Sequence, residues 1–224
     1  MRILAIGDIH GCATAFDTLL KVVQPQPEDT IVTLGDYVDR GPDSKGIIDR
    51  LLDLRQTHQL VPLRGNHELM MVGSRDGTHP KSDWLRRGGR EALASYSSSK
   101  RRKLADVPDR HWDFIENICL DWWESDTHFF VHANADANLP IHQQPESKLF
   151  WEKFDNPPPH YSGKVMVCGH TSQKSGKPVN LGHAICIDTR AYDGRWLTCL
   201  ETKSGKVWQA NQKGKVKTAW IGEF

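Results

Sequence analysis

The chain has 224 residues, 38% of them hydrophobic, and a formal net charge of +1. One domain of this size, alone or with an inserted cap, can bury a substantial core, and near-neutral charge gives no general pull toward nucleic acid or an acidic membrane surface. No apolar run approaches the roughly 20 residues of a spanning helix, and Met1-Arg2-Ile3-Leu4 enters a strand with no charged n-region or cleavage site before it, so a cytoplasmic protein that binds neither membrane nor nucleic acid is expected.

Up to about Val72, strands alternate with helices. The apolar run at 3–6 precedes a helix at 13–23, whose Phe16, Leu19, Leu20 and Val23 keep helical spacing and which Pro25 and Pro27 end. A second run at 31–34 leads to a helix at about 44–54, started by Pro42-Asp43-Ser44, and a third at 60–64 leads to one beginning at Asn66. Such alternation across short links predicts a parallel sheet with right-handed crossovers. Residues 73–121 are polar and helical in pattern, and are expected to form a helical cap inserted into a single domain covering 1–224. Strands follow at 122–124, 128–131, 164–168, 184–188, 197–201 and 207–210, the last three patterned as an antiparallel meander. Pro157-Pro158-Pro159 marks a stiff loop.

Five cysteines without CxxC spacing (Cys12, Cys119, Cys168, Cys186 and Cys199) fit reduced, buried thiols. Cys12 is either packing or reactive. Lys100-Arg101-Arg102-Lys103 is the one dense basic run, and between a serine tract and acidic residues it is expected to be a solvated face.

The chemistry lies at the strand ends. Apolar runs deliver Gly7-Asp8-Ile9-His10-Gly11, Gly35-Asp36-Tyr37-Val38-Asp39-Arg40-Gly41, Gly65-Asn66-His67-Glu68, then His132 and finally Gly169-His170. An aspartate after a strand is ordinarily a helix cap or an Asx-turn, but caps do not need histidines, and ligands bind at the carboxyl rim of α/β sheets. If these segments share one sheet system, Asp8, His10, Asp36, Asn66, His132 and His170 converge on one patch. Carboxylate, amide and imidazole donors together suit Mn, Fe or Zn, and six ligands exceed what one open ion needs. Two ions about 3.5 to 4 Å apart can hold a water that loses its proton near neutral pH and attacks phosphorus in line.

In these motifs the chain resembles the phosphoprotein phosphatases within the calcineurin-like metallophosphoesterases, most nearly small bacterial serine/threonine phosphatases, with bacterial diadenosine tetraphosphatases near by. The resemblance extends through His132 and Gly169-His170-Thr171 to Ile187-Asp188-Thr189, and Trp84, Gly88-Gly89 and Ser95-Tyr96 carry it into the cap. It implies an α/β/β/α sandwich of two mixed sheets flanked by helices, and two divalent ions, Mn2+ foremost with Fe or Zn as alternatives. Asp8 and His10 would hold the first ion, Asp36 would bridge, and Asn66, His132 and His170 would complete the second. His67 would protonate the leaving alkoxide, Arg40 would grip the phosphate beside Asn66, and Asp39 either orients His67 or pairs with an arginine. The second phosphate-binding arginine usual in the family is missing; Lys153, which lacks the guanidinium fork, or Arg190 would stand in.

The implied activity is hydrolysis of phosphoserine and phosphothreonine by a metal-bridging hydroxide, on a phosphoprotein or small phosphoester. Two rivals stand beside it: cleavage of dinucleoside polyphosphates, and a non-catalytic binding module on the same scaffold. His183 is expected to be a loop residue, and Trp122, Trp123 and Trp151 are expected to pack rather than stack on bases.

Overall fold

The computed structural model describes residues 1–99 and 101–224. Lys100, in the basic run, lies outside the described residues. Three parallel strands, β1 (Ile3–Ile6), β2 (Thr30–Thr33) and β3 (Gln59–Pro62), are linked through α1 (Ala13–Val23) and α2 (Ser44–Arg55), and α3 (Asn66–Asp76) follows β3. Short helices α4 (Lys81–Trp84), α5 (Arg90–Tyr96) and α6 (Asp109–Asp113) fill the stretch before β4 (Trp122–Glu124) and β5 (His128–Val131). Then come α7 (Glu146–Trp151), β6 (Val165–Cys168), β7 (Val179–Asn180), β8 (Ala184–Cys186), β9 (Leu197–Glu201), β10 (Lys206–Ala210) and β11 (Val216–Trp220).

The strands form two mixed sheets, ordered β11-β10-β9-β1-β2-β3 and β4-β5-β6-β8-β7. Side-chain alternation stacks them. On β1, Ala5 faces the second sheet with Val32, Phe130, Val167 and Leu200, while Leu4 and Ile6 face α1 through Phe16 and Leu19. On the far side, Phe129, Val131, Met166 and Cys168 pack with Leu149 and Phe150 of α7. The result is the helix, sheet, sheet, helix sandwich expected from the motifs. The five cysteines are free and buried, and among the described residues no helix is long and apolar enough to cross a membrane.

The meander needs correction. It comprises β9, β10 and β11, whereas β8 pairs parallel to β6 in the other sheet. Residues 216–220 escape a pattern search because this edge strand keeps only Ala219 half-buried and exposes the other four residues. The stretch 184–188 has an apolar run that either sheet would accept, and only pairing decides which. Helix α7 likewise carries no strong signal.

Candidate active site

The loops after β1, β2, β3, β5 and β6 meet at the common carboxyl rim of both sheets, and they are held there by their backbones. The N–H groups of Ile9 and His10 donate to the Asp36 carbonyl, 3.1 and 2.7 Å, and Gly11 N–H donates to Tyr37 O, 2.9 Å. Among the described residues, eight other than glycine have positive φ, and six of them are His10, Asp36, Asp39, Arg40, His170 and Arg190. Backbone strain is thus concentrated where the sequence places its chemistry.

Around Asp36 the side chains converge. Asp8, Asp36 and His132 offer donor atoms within 4.8 Å of one another, as do His10, Asp36 and His67. His10 Nε2 lies 3.3 Å from Asp36 Oδ2, and His132 Nε2 lies 3.5 Å from Asp36 Oδ1. Asn66 Oδ1 sits 3.0 Å from His132 Nε2 and 3.1 Å from His170 Nδ1. Backbone amides hold the carboxylates: His170 N–H reaches Asp8, 3.0 Å, and His67 N–H reaches Asp36 Oδ1, 3.1 Å. All six predicted ligands therefore share one patch.

Each of the three predicted histidine ligands has its tautomer set by a carbonyl. His10 Nδ1–H donates to Val38 O, 2.8 Å, His132 Nδ1–H to Leu34 O, 2.7 Å, and His170 Nε2–H to Trp151 O, 3.2 Å. The His132 lone pair then faces Asp36 Oδ1, while that of His10 lies between Asp36 Oδ2 and the Arg40 guanidinium. Acceptors facing acceptors at these distances repel unless a positive charge lies among them, and mixed carboxylate, amide and imidazole donors suit divalent transition metals. Burial, and next the Asp188 and Asp36 charges, push the Asp8 carboxyl well above its usual range. Burial pushes His170 down to about 4, so its imidazole is neutral and available as a ligand. The donor set fits divalent metal ions.

A second network surrounds His67. Its Nδ1–H donates to Asp39 Oδ2 at 2.7 Å, which leaves Nε2 facing Asp36 Oδ2 at 3.9 Å, and burial lowers its pKa well below the usual value. Asp39, itself buried, also accepts from Trp84 Nε1, 2.9 Å. Arg40 Nη1 donates to His10 Nε2, 2.8 Å, and its guanidinium lies 4.6 Å from the Tyr192 ring centroid. The Glu68 carboxylate accepts from four backbone N–H groups, those of Asp36, Tyr37, Val38 and Gly65, at 2.8 to 3.1 Å. Burial, and next the Asp36 charge, push that carboxyl up to about 7, yet both oxygens face donors, which favours the ionised form.

Glu68, Trp84 and Tyr192 carried no role in the sequence. For Glu68 a signal existed: it stands three residues after Gly65 at the start of α3, where a glutamate reaches back to the cap N–H. Gly88, φ 122°, lies under Arg40, and a Cβ there would stand 2.9 Å from Arg40 Cγ and 3.0 Å from Asp39 Cβ. Gly77, φ 82°, has open space. Gly88→Ala is expected to cost at least about 2 kcal/mol and to depress turnover, whereas Gly77→Ala costs about 1 kcal/mol and leaves turnover alone. Paired thermal unfolding and rate measurements check this; equal losses would deny the contact its importance.

A cleft of about 440 Å³ opens over the patch, lined by Arg40, Asn66, His67, Arg87, Trp151, Lys153 and His170 among others. Lys153 therefore borders it. Arg190 does not line it: its Nε pairs with Asp193, 3.0 Å, and its guanidinium lies 5.9 Å from the Tyr192 ring centroid. Trp151 departs from the packing expected of it, being 43% exposed at the cleft. His183 is a loop residue bonded to Pro157 O, 2.8 Å.

A fold of two mixed sheets with this donor patch at their common rim is that of a metal-dependent phosphoesterase. The sequence profile of the calcineurin-like phosphoesterases matches residues 1–186, and the chain belongs to that family, whose members use divalent metals. Among named relatives, serine/threonine-protein phosphatase 1 of Salmonella typhimurium is 36% identical over 88% of this chain and 90% of its own length. The symmetrical bis(5'-nucleosyl)-tetraphosphatase of an Acidovorax strain is 39% identical over 37% of this chain, and the chain spans only 29% of that protein's length. The Paracidovorax citrulli protein of the same name is 39% identical over 74% of this chain and 60% of its own length. A solved structure provisionally described as a diadenosine tetraphosphatase has the same fold, with TM-score 0.67 at 20% identity over 98% of this chain and 93% of that one. So does the cold-active protein-tyrosine phosphatase of a Shewanella species, with TM-score 0.59 at 19% identity over 97% of this chain and 80% of that one.

Proposed function

We propose that this protein is a phosphomonoesterase of phosphoserine and phosphothreonine, with residues 73–121 capping one catalytic domain. Asp8 and His10 would hold one divalent ion and Asn66, His132 and His170 a second, with Asp36 shared, and Mn2+ is the ion we favour. Such ions supply charge neutralisation of the phosphoryl group and acidify water. Arg40 binds two phosphoryl oxygens through its planar fork, Asn66 lies beside them, and Lys153 adds a point charge. As water attacks phosphorus and releases one of its protons to solvent, the bond to the serine or threonine oxygen breaks and His67 Nε2 gives that oxygen its proton. Burial keeps the free His67 neutral, and the charge of the bound phosphate favours its second proton. Asp39 is the positioning residue: through Nδ1 it sets the ring and stabilises the imidazolium, while Trp84 holds Asp39.

The observation that carries this reading is the His67–Asp39 bond beside an Asp36 ringed by histidine lone pairs. The likeness to the Salmonella phosphatase along nearly its whole length supports a phosphoprotein substrate. Cleavage of dinucleoside polyphosphates is the second reading, favoured by the exposed Trp151 as a stacking surface for a base. Manganese-loaded protein is expected to show its highest kcat/KM on phosphopeptides when these are compared with diadenosine tetraphosphate and an aryl phosphate. A preference for the dinucleotide favours the second reading, and no turnover across a metal panel overturns both.

His67→Ala is expected to lower kcat on a phosphoseryl peptide by about 10²- to 10³-fold. On an aryl phosphate the loss is several-fold smaller, because a phenolate leaves without much help from an acid. Equal losses on both substrates would remove His67 from proton transfer.

A further inference from the structure

The catalytic cleft does not end at Arg40. Towards α5 it continues into a second, open cleft of about 530 Å³ lined by Arg40, Arg86, Arg87, Arg90, Glu91 and Tyr192 among others, and Arg40 and Arg87 line both. Four guanidinium groups share that cleft with one carboxylate. Asp83 accepts from Arg86, 3.0 Å, and from Arg87, 2.8 Å. One carboxylate between two guanidiniums leaves net positive charge, and those side chains are 64% and 56% exposed. Arg90 also borders a third pocket with Lys81 and Arg102, so the positive track runs on past the second cleft. The opposite wall differs: beyond Lys153 lies a pocket where Asp136, Glu152 and Asp155 face Lys148 and Lys153. Of these two neighbouring pockets, only the one on the Arg86–Arg90 side has an excess of positive charge among its described lining residues.

Building on the phosphomonoesterase reading, we propose that the cleft of Arg86, Arg87 and Arg90 binds acidic residues flanking the phosphorylated serine or threonine, on one side of it, and so selects among phosphopeptides. The guanidiniums stand on the rim, where charge pairs contribute modestly, steer association and are screened by salt. Three of them together correspond to a preference of about tenfold.

The test uses three phosphothreonine peptides: acidic residues before the phosphothreonine, acidic residues after it, and neutral residues on both sides. Wild-type and Arg86→Ala/Arg90→Ala proteins are assayed with Mn2+ at low salt and at about 0.5 M salt, with an aryl phosphate and diadenosine tetraphosphate alongside. Wild-type kcat/KM is expected to be about tenfold higher on one acid-flanked peptide than on the neutral one, chiefly through KM. High salt is expected to erase that ratio, and the double variant, which keeps Arg87, to cut it to about twofold. Equal kcat/KM on all three peptides, in protein that hydrolyses the aryl phosphate, overturns the acidic-flank proposal and leaves the phosphomonoesterase reading standing. So does an acidic preference that is undiminished in the double variant. Higher kcat/KM on the dinucleotide than on any peptide overturns the proposal in favour of a polyphosphate chain, and no turnover of the aryl phosphate with any metal overturns both.

Discussion

Asp36→Asn is expected to lower kcat/KM by about a thousandfold or more and to strip bound divalent metal from the protein. Asp36 belongs to both donor groups at the rim, with His10 Nε2 3.3 Å from one oxygen and His132 Nε2 3.5 Å from the other. The substitution removes the negative charge that any cation there would share. The fold is expected to tolerate it. His67 N–H keeps an oxygen acceptor at Oδ1, and an amide in place of the carboxylate no longer sets a negative charge against the His10 lone pair, which accepts from Arg40. Metal-free variant and metal-free wild type should therefore melt within a few degrees of each other, while the stabilisation that wild type gains on adding Mn2+ disappears. Elemental analysis, thermal unfolding with and without metal, and rates on one preparation check all three expectations. A variant that keeps its metal and its rate would remove Asp36 from the centre of the site.

Glu68→Ala is expected to cost about 4 kcal/mol and to lower the unfolding temperature by about 8 to 16 °C. The Glu68 carboxylate is the common acceptor for the N–H groups of Asp36, Tyr37, Val38 and Gly65. Those groups are buried, and an unpaired buried N–H costs about 1 to 3 kcal/mol before the loop relaxes. Activity should fall with stability, because the same bonds hold Asp36 and the turn leading to Asp39 and Arg40. Glu68→Gln is expected to fall between wild type and alanine: its amide oxygen still accepts two N–H groups, while its NH2 opposes the other two. Glu116→Ala, which breaks an exposed pair with Arg75, should cost less than about 1 kcal/mol. If Glu68→Ala melted no lower than Glu116→Ala, the four-bond anchor would have no energetic weight.

Both variants lie in motifs visible in the chain, yet only Asp36 announced itself. An aspartate after a β-branched run, repeated with histidines after four other strands, has few uses other than holding cations, so the donor patch was legible before any fold was known. Glu68 was visible as a letter and silent as a role, because its four partners belong to the β2 loop and the α3 cap, and only folding brings them to it. Trp84 shows the same limit: forty-five residues separate its indole N–H from the Asp39 carboxylate it holds. Trp151 was expected to pack and instead borders the cleft, since hydrophobicity in a sequence does not say which face of a short helix meets solvent.

Local chemistry thus determined the donor residues, the first three strand and helix units and the family, since each depends on neighbours a few residues apart: apolar runs of strand length, a glycine at a tight turn, a carboxylate or imidazole just beyond it. Which sheet takes 184–188, where an edge strand closes the meander, and which cations line the second cleft were decided only by tertiary structure. Those outcomes depend on pairing and packing between segments tens to hundreds of residues apart, and the free energy of such contacts is set by what each surface meets after folding, which no local pattern records.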